Sequence, residues 1–395
     1  MKIAGIICEY DPFHKGHFHQ IEMLRERGFD TVICLMSGNA TQRGAFACAD
    51  KYTRAHAAAL AGADLVLELP YPYSSASAEF FATAGVYILD SIGVDEINFG
   101  SECGDIELLR SAARVISSAD FERVYREISN NDKTKGAFTL MCEAYESLTG
   151  KAFPSSSNDI LAMSYIAAAE KLSCRAKLYA VKREGSDFSS TELSEDEYPS
   201  ASGIRRLFAC NEYEKAFSFM PEESVGAYKE ALLQERFPTD VHFLESAILS
   251  FFRLAAPNSL ECFAESGGGL ANRICKCASA STSLDELFSL CATKRYTDAR
   301  IRRAILYCMT GVTEKDIRAL PEYTTLLAIG KNGREFLAKH RKNGKFNIVT
   351  KVASSPECRQ RELSEKLDAL FTLALKKARP SNEFLRAFPK ICEND

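Results

Sequence analysis

The 395-residue sequence contains no tryptophan and only six histidines. It has no run of about 18 apolar residues and no apolar segment ahead of a small-residue cleavage site, so neither a membrane span nor a secretory leader is expected, and the protein is predicted to be cytoplasmic. The glycine signatures G-x-G-x-x-G and G-x-x-x-x-G-K-[ST] are missing after the first predicted strand, which argues against a dinucleotide fold and a P-loop. Cysteine is plentiful, at 14 residues, but paired spacing is not: Cys8, Cys34, Cys142 and Cys308 each sit singly in apolar segments. Cys275 and Cys277 are the nearest pair, with no spaced partner pair or histidines to follow. The cysteines therefore read as small buried hydrophobes in a reducing compartment, and no protein-held metal is expected.

What is present fits a globular protein of two or three folding units, with 46% hydrophobic residues, 26% charged residues and 12 prolines. The formal charge of -4 hides an asymmetry. Residues 270–395 hold 24 basic and 14 acidic residues, leaving 25 and 39 for the rest, so the two parts carry +10 and -14. Such polarity suits one unit that handles a small ligand and another that meets a polyanion, or else simply a solvated basic surface.

Strand-length apolar runs at 3–8, 31–36, 65–69 and 96–99 alternate with helical stretches at 17–27, 52–61 and 76–92. Further helices are predicted at 104–128, 131–150 and from 158 to 169, capped by Ser156 or Ser157, with a fifth strand at 176–182. The stretch 184–200 reads as polar turn, and Ser202 as a cap for a helix starting near Gly203. This alternation predicts an α/β fold, a Rossmann-like domain with a parallel sheet over residues 1–215, whose chemistry lies beyond the strand carboxyl ends. Residues 216–395 read as a mainly α-helical domain, with helices at 222–235, 240–255, 283–293, 297–309 and 360–377 and a short strand at 346–349.

Residues 9–17, EYDPFHKGH, follow the first strand directly. His14 and His17 bracket Lys15 and Gly16 at a helix start, where glycine admits a phosphate close to the backbone and the terminal amides favour an anion. That arrangement suits gripping a triphosphate while pyrophosphate leaves the α-phosphorus. The competing reading is a pair of turn histidines bonded to backbone carbonyls. After the second strand come Gln42, Arg43, Lys51 and Arg54. Arg43 is assigned to a triphosphate or an RNA, and Lys51 and Arg54, three apart, to one RNA-facing side of a helix. Glu68 orients a basic group or makes a rim salt bridge. In the basic half, Arg273, Lys294, Arg295, Arg300, Arg302 and Arg303 are predicted to track RNA phosphates, Arg295 and Arg302 from one helix face, with Tyr296 stacking on a base.

Residues 9–17 resemble the HxGH signature of nucleotidyltransferases related to the class I aminoacyl-tRNA synthetase catalytic domain. The chain is more closely similar to the bacterial tRNA(Met) cytidine acetate ligase family, through SGNATQRGAFA (37–47), KYTRA (51–55), DLVLELP (64–70), FGSE (99–102), SNDIL (157–161), SASGIRR (200–206), GLANRI (269–274) and TKRYTDARI (293–301). Asp11 stands where the family usually has Asn; Ala40, Ala45 and Gly203 also depart from its pattern.

The resemblance implies that ATP lies against Ile7, Cys8, Glu9, Tyr10, Asp11, Pro12, Phe13, His14, Lys15, Gly16, His17, Phe18, His19 and Gln20. Further contacts are implied at Gly100, Asn158, Arg183, Ser202 and Arg205. It casts His14, His17 and Lys15 as catalytic, with Mg²⁺ alongside ATP, and it implies acetate and elongator tRNA(Met) as partners. The implied activity is formation of N4-acetylcytidine at the wobble position through acetyl-adenylate. A nucleotidyltransferase for a small phosphorylated substrate, and a non-catalytic protein binding ATP and tRNA, are the alternatives.

Overall fold

The computed structural model describes residues 1–132, 135–183, 200–387 and 389–392. Strands β1 (Ile3–Cys8), β2 (Thr31–Ser37), β3 (Leu65–Leu69), β4 (Glu96–Ser101) and β5 (Lys177–Lys182) run parallel in the order β5-β4-β1-β2-β3. Strand addition reverses at β1, which leaves a crevice at its carboxyl end, the place where open α/β sheets bind ligands. The segment after β1 is the histidine loop, so topology alone puts that loop at the crevice.

Alternate strand residues feed two cores, one on each face of the sheet. Ala4, Ile6, Val32 and Cys34 pack with α1 (Lys15–Glu26) and α2 (Lys51–Leu60). Ile7, Ile33, Leu35, Leu65 and Leu67 pack with α3 (Ala78–Ile92) and the helix Ser157–Leu172. Burial on both faces is why these strands read as unbroken apolar runs. The helix α3 lies so close to β1 that a Cβ on Gly85 would come within 2.7 Å of Ile7.

Some expectations change. The single helix expected over 104–128 is two, Ile106–Ile116 and Ala119–Asn131, because the Ser118 hydroxyl accepts from the Phe121 N–H and restarts the helix. Ser200 rather than Ser202 caps the helix Ala201–Ala209, accepting from the Gly203 N–H. The turn expected over 184–200 lies, except for Ser200, outside the described residues.

From residue 216 to 318 the regular elements are helices, and Leu244, Ile248, Phe252, Leu270, Ile274, Leu287, Ile301 and Ile305 form a core of their own. The chain then re-enters the sheet. Strand β6 (Tyr323–Ile329) pairs antiparallel with β3, while β7 (Asn347–Val349) and β8 (Lys390–Ile391) pair parallel with β6. The sheet therefore crosses the boundary expected at 215/216. No helix among the described residues is long and apolar enough to cross a membrane.

A buried charge cluster fastens the late chain to the early one. Lys51, 1% exposed, donates to Glu68 at 2.8 Å and to Asp368 at 2.9 Å. Asp368 belongs to the helix Arg359–Leu373 and also accepts from the Asn39 amide at 2.8 Å. Burial alone would favour a neutral amine at Lys51, but the two carboxylates hold it protonated well above the usual lysine range. Lys51→Met would leave two carboxylates facing each other in the interior without a cation. A loss of about 3–5 kcal/mol in unfolding free energy, read from urea denaturation midpoints, is the expected outcome.

Candidate active site

A cavity of about 460 Å³ opens at the carboxyl ends of β1, β4 and β5. It is lined by Ile7, Cys8, Glu9, Tyr10, Asp11, His14, Gly16, His17, His19 and Gln20 from the histidine loop and α1, together with Gly100, Asn158, Arg183 and Arg205. The other residues expected at ATP do not line it. Pro12 is buried, and Phe13 is fully buried, with its N–H donating to the Tyr228 hydroxyl at 3.1 Å. Phe18 packs on the core beneath α1. Lys15 is exposed, its N–H spent on the Phe219 carbonyl. Ser202 sits behind Arg205 and accepts from it at 3.1 Å.

The two histidines hold each other. His14 is the N-cap of α1 and accepts the Gly16 N–H on Nδ1 at 3.1 Å, while His17 accepts the His14 N–H on its own Nδ1 at 3.3 Å. Their rings stack with centroids 3.7 Å apart. An Nδ1 that accepts an N–H carries no proton, so each neutral ring must bear its hydrogen on Nε2. Neutrality follows from the surroundings. Burial, then the Arg183 and Arg205 charges, push His14 down to about 3 from 6.5. Burial, then His14 and Arg183, hold His17 well below the usual histidine range. The pair thus presents two uncharged Nε2–H donors.

Cations surround that pair. Arg205 donates to the Asp11 carbonyl and lies 3.4 Å from the Asp11 carboxylate. Asp11 also accepts the Cys48 N–H at 2.6 Å. Among the described residues the Arg183 guanidinium has no hydrogen bond or carboxylate partner. A Cβ on Gly100 would press within 3.2 Å of the aliphatic stem of Arg183. The Asn158 amide donates to Glu102 at 2.5 Å, leaving its carbonyl oxygen as an acceptor in the cavity wall. Glu102 therefore orients Asn158, with the Ser156 hydroxyl also donating to it at 2.6 Å.

The sequence reading assigned no ligand role to the apolar wall, where Phe99 and Tyr165 pack 5.2 Å apart with Leu161 and Phe81 beside them. These residues are indistinguishable in sequence from the core residues around them. The turn bearing Gln42 and Arg43 also borders the cavity, and the Gln42 N–H donates to Glu9 at 2.6 Å. Burial pushes the Glu9 carboxyl up, opposed by that hydrogen bond.

The residues expected to face RNA do not form one surface. Lys51 is buried in its ion cluster. Arg54 is fully buried, donating to the carbonyls of Ala49 at 2.9 Å, Glu9 at 2.5 Å and Ser37 at 3.0 Å, and to that of Gly38. Neither can reach an RNA backbone. Arg303 is buried against Glu265, and Arg273 ties the carbonyls of Cys291 and Leu290. Arg300 donates to the carbonyls of Glu265 and Gly267. Arg302 lies 4.0 Å over the Phe288 ring. Thr297 caps the helix Asp298–Thr310, so Arg295 precedes that helix and cannot share its face with Arg302. Tyr296 is buried, its hydroxyl bonded to the Gly268 carbonyl at 2.6 Å, and offers no ring for stacking. Lys294 and Arg295 are exposed, and Arg43 belongs to the cavity.

The histidine environment sets a pH dependence. Between about 6.5 and 3 the unfolded chain binds a proton that folded His14 refuses, so stability falls as pH drops through that window. His14→Asn keeps an N-cap oxygen. It is expected to remove up to about 1.4 kcal/mol of that loss per pH unit, measured by urea denaturation at pH 7 and pH 5.

The HIGH Nucleotidyl Transferase family matches residues 1–384. A tRNA(Met) cytidine acetate ligase of Clostridium perfringens is 35% identical over 372 residues, covering 90% of this chain and 91% of that protein. One from Listeria monocytogenes is 32% identical over 362 residues, covering 90% and 91%. The crystal structure of apo Thermotoga maritima TmcAL superposes with a TM-score of 0.91 at 29% identity, over 99% of each chain. TmcAL bound with alpha-thio ATP gives 0.88, also at 29% identity and over 99% of each chain. The chain belongs to the HIGH nucleotidyl transferase family and, within it, to the tRNA(Met) cytidine acetate ligases.

Proposed function

We propose that this protein is an ATP-dependent ligase that acetylates N4 of the wobble cytidine of elongator tRNA(Met), using acetate and passing through acetyl-adenylate. The observation that carries the reading is the locked histidine pair, whose two Nε2–H donors lie with Arg183 and Arg205 at one cavity. In the first step an acetate oxygen attacks the α-phosphorus of ATP, and the bond to the bridging oxygen of pyrophosphate breaks. His14 and His17 donate to the phosphate oxygens as charge moves onto the leaving group, and the two guanidinium groups balance that charge. Neutral imidazoles suit this task because they stabilise charge without requiring a proton to be supplied or removed.

In the second step the cytidine N4 attacks the acetyl carbon, the carbon–oxygen bond to AMP breaks, and the amine loses its proton. The mixed anhydride is already activated, so no side-chain nucleophile is required. The apolar wall of Phe99, Leu161 and Tyr165 suits the adenine ring, and the Asn158 oxygen suits its amine or a ribose hydroxyl. No group of three His, Cys, Asp or Glu side chains able to hold a metal occurs among the described residues. Among those residues the Mg²⁺ implied by the family resemblance therefore finds no protein cage, and no step is assigned to it. The helical part beyond residue 216, with exposed Lys294 and Arg295, is the proposed tRNA-facing unit.

Incubation with ATP, labelled acetate and elongator tRNA(Met), followed by nucleoside analysis, is expected to place label in N4-acetylcytidine. Label absent from cytidine, or appearing without ATP, would overturn the reading. His14→Ala is expected to lower acetate-dependent exchange of pyrophosphate into ATP by about 10²–10³-fold, the loss typical of one electrostatic donor. Its tRNA affinity, measured by filter binding, should stay within about twofold, because the histidine lies at the nucleotide and not on the exposed basic segment.

A further inference from the structure

The turn that carries Gln42 and Arg43 to the cavity is gripped from behind by the helix Asp298–Thr310. On that helix Arg303 is only 8% exposed. Its Nε and Nη2 donate to the two carboxylate oxygens of Glu265 at 2.7 and 2.9 Å. A bidentate pair fixes the guanidinium plane, and the remaining Nη1 donates to the Gln42 carbonyl at 3.2 Å. Glu265 is held in turn, its carbonyl accepting from Arg300 and its N–H donating to Glu314.

The turn itself is closed by two main-chain bonds, Thr41 N–H to the Ala45 carbonyl and Gly44 N–H to the Thr41 carbonyl, both 2.9 Å, and the Thr41 hydroxyl also donates to the Ala45 carbonyl at 3.2 Å. Gly44 has φ +74°, and a Cβ there would lie 2.5 Å from the Arg303 main-chain nitrogen. The turn is therefore flush against the helix backbone at a point where only glycine fits. On its other side the Gln42 N–H reaches the Glu9 carboxylate in the cavity wall. A continuous series of contacts thus runs from Glu265 through Arg303 to Gln42 and Glu9.

We propose that Arg303 and Glu265 are positioning residues for the nucleotide site. Their pair sets how far the 41–45 turn projects toward the bound phosphates, and so where Gln42 and Arg43 meet them. This assignment rests on reading the cavity as the ATP site. It replaces the RNA contact expected of Arg303: the residue acts on the nucleotide through the turn and touches neither ligand. Glu265 was not singled out by sequence, because its partner lies 38 residues away and the turn it steadies is some 220 residues upstream.

Two variants separate positioning from general stability. In Arg303→Lys a single ammonium still faces Glu265 but cannot span the carboxylate and the Gln42 carbonyl together. Gly44→Ala lifts the turn from the helix directly. Calorimetry with alpha-thio ATP is expected to show affinity about tenfold weaker for both, the scale of one lost hydrogen bond plus misplacement. Filter binding of elongator tRNA(Met) should stay within about twofold of the parent. The melting temperature of Arg303→Lys should fall by no more than about 4 °C. Nucleotide affinity unchanged in both variants, or tRNA affinity falling in step with it, would overturn the proposal. A parent protein that binds the nucleotide but fails acetate-dependent exchange would sink the ligase reading alone, with the clamp still judged by affinity. A parent that binds no nucleotide would remove both.

Discussion

One buried guanidinium holds the site together. Arg54 has no carboxylate partner among its hydrogen bonds; it donates to main-chain carbonyls at Glu9, Ser37, Gly38 and Ala49. Those carbonyls lie at or just beyond the ends of β1 and β2 and in the residues leading into α2. Chain ends at the rim of a sheet carry carbonyls that the sheet cannot satisfy, and each one buried unpaired would cost about 1–3 kcal/mol. A single planar cation with five donors meets several at once, and in doing so it fixes the spacing between the histidine loop and the loop that carries Gln42 and Arg43. The cavity is built between those loops, so its shape depends on a residue that never enters it.

Legibility in the sequence followed range. The parallel strands, the loop placed after β1 and the histidine pair were readable because each is announced by residues adjacent in the chain: apolar runs, turn residues, and imidazoles three apart at a helix start. Family resemblance then supplied Gly100, Asn158, Arg183 and Arg205, which do line the cavity. The strand β6 was missed because the run YTTLLAI carries no period that separates a strand from a buried helical segment, and its partner β3 lies some 250 residues away. The basic residues were misjudged for a related reason. Charge spacing places Lys51 and Arg54 on one helix face, yet it cannot say whether that face meets water or unpaired carbonyls. The arginines of segment 294–303 likewise look alike in sequence and differ in structure by what each meets: the Glu265 carboxylate for Arg303, the Gly267 carbonyl for Arg300, the face of the Phe288 ring for Arg302.

The histidine pair illustrates how an ordinary helix-capping device can set chemistry. Reciprocal capping satisfies two orphan amides of α1, a routine gain in helix stability. Because the caps are imidazoles, the same bonds decide which nitrogen bears hydrogen and leave it pointed at the crevice. Structure and reactivity at this position are one feature, and burial, with the charge of the nearby arginines behind it, keeps the rings uncharged.

The sheet's return at β6 and the Lys51–Asp368 bond bear on the order in which the molecule is made. A chain emerging from the ribosome presents its histidine loop some 300 residues before the strand that covers β3 and some 350 before the carboxylate that neutralises Lys51. A truncated or still-growing polypeptide therefore carries the motif without the finished cleft. A cleft able to make the proposed acetyl-adenylate, a mixed anhydride that water destroys, before its tRNA-facing part existed would hydrolyse ATP with no tRNA to receive the acetyl group. Closure that waits for β6 and Asp368 withholds that futile hydrolysis of ATP.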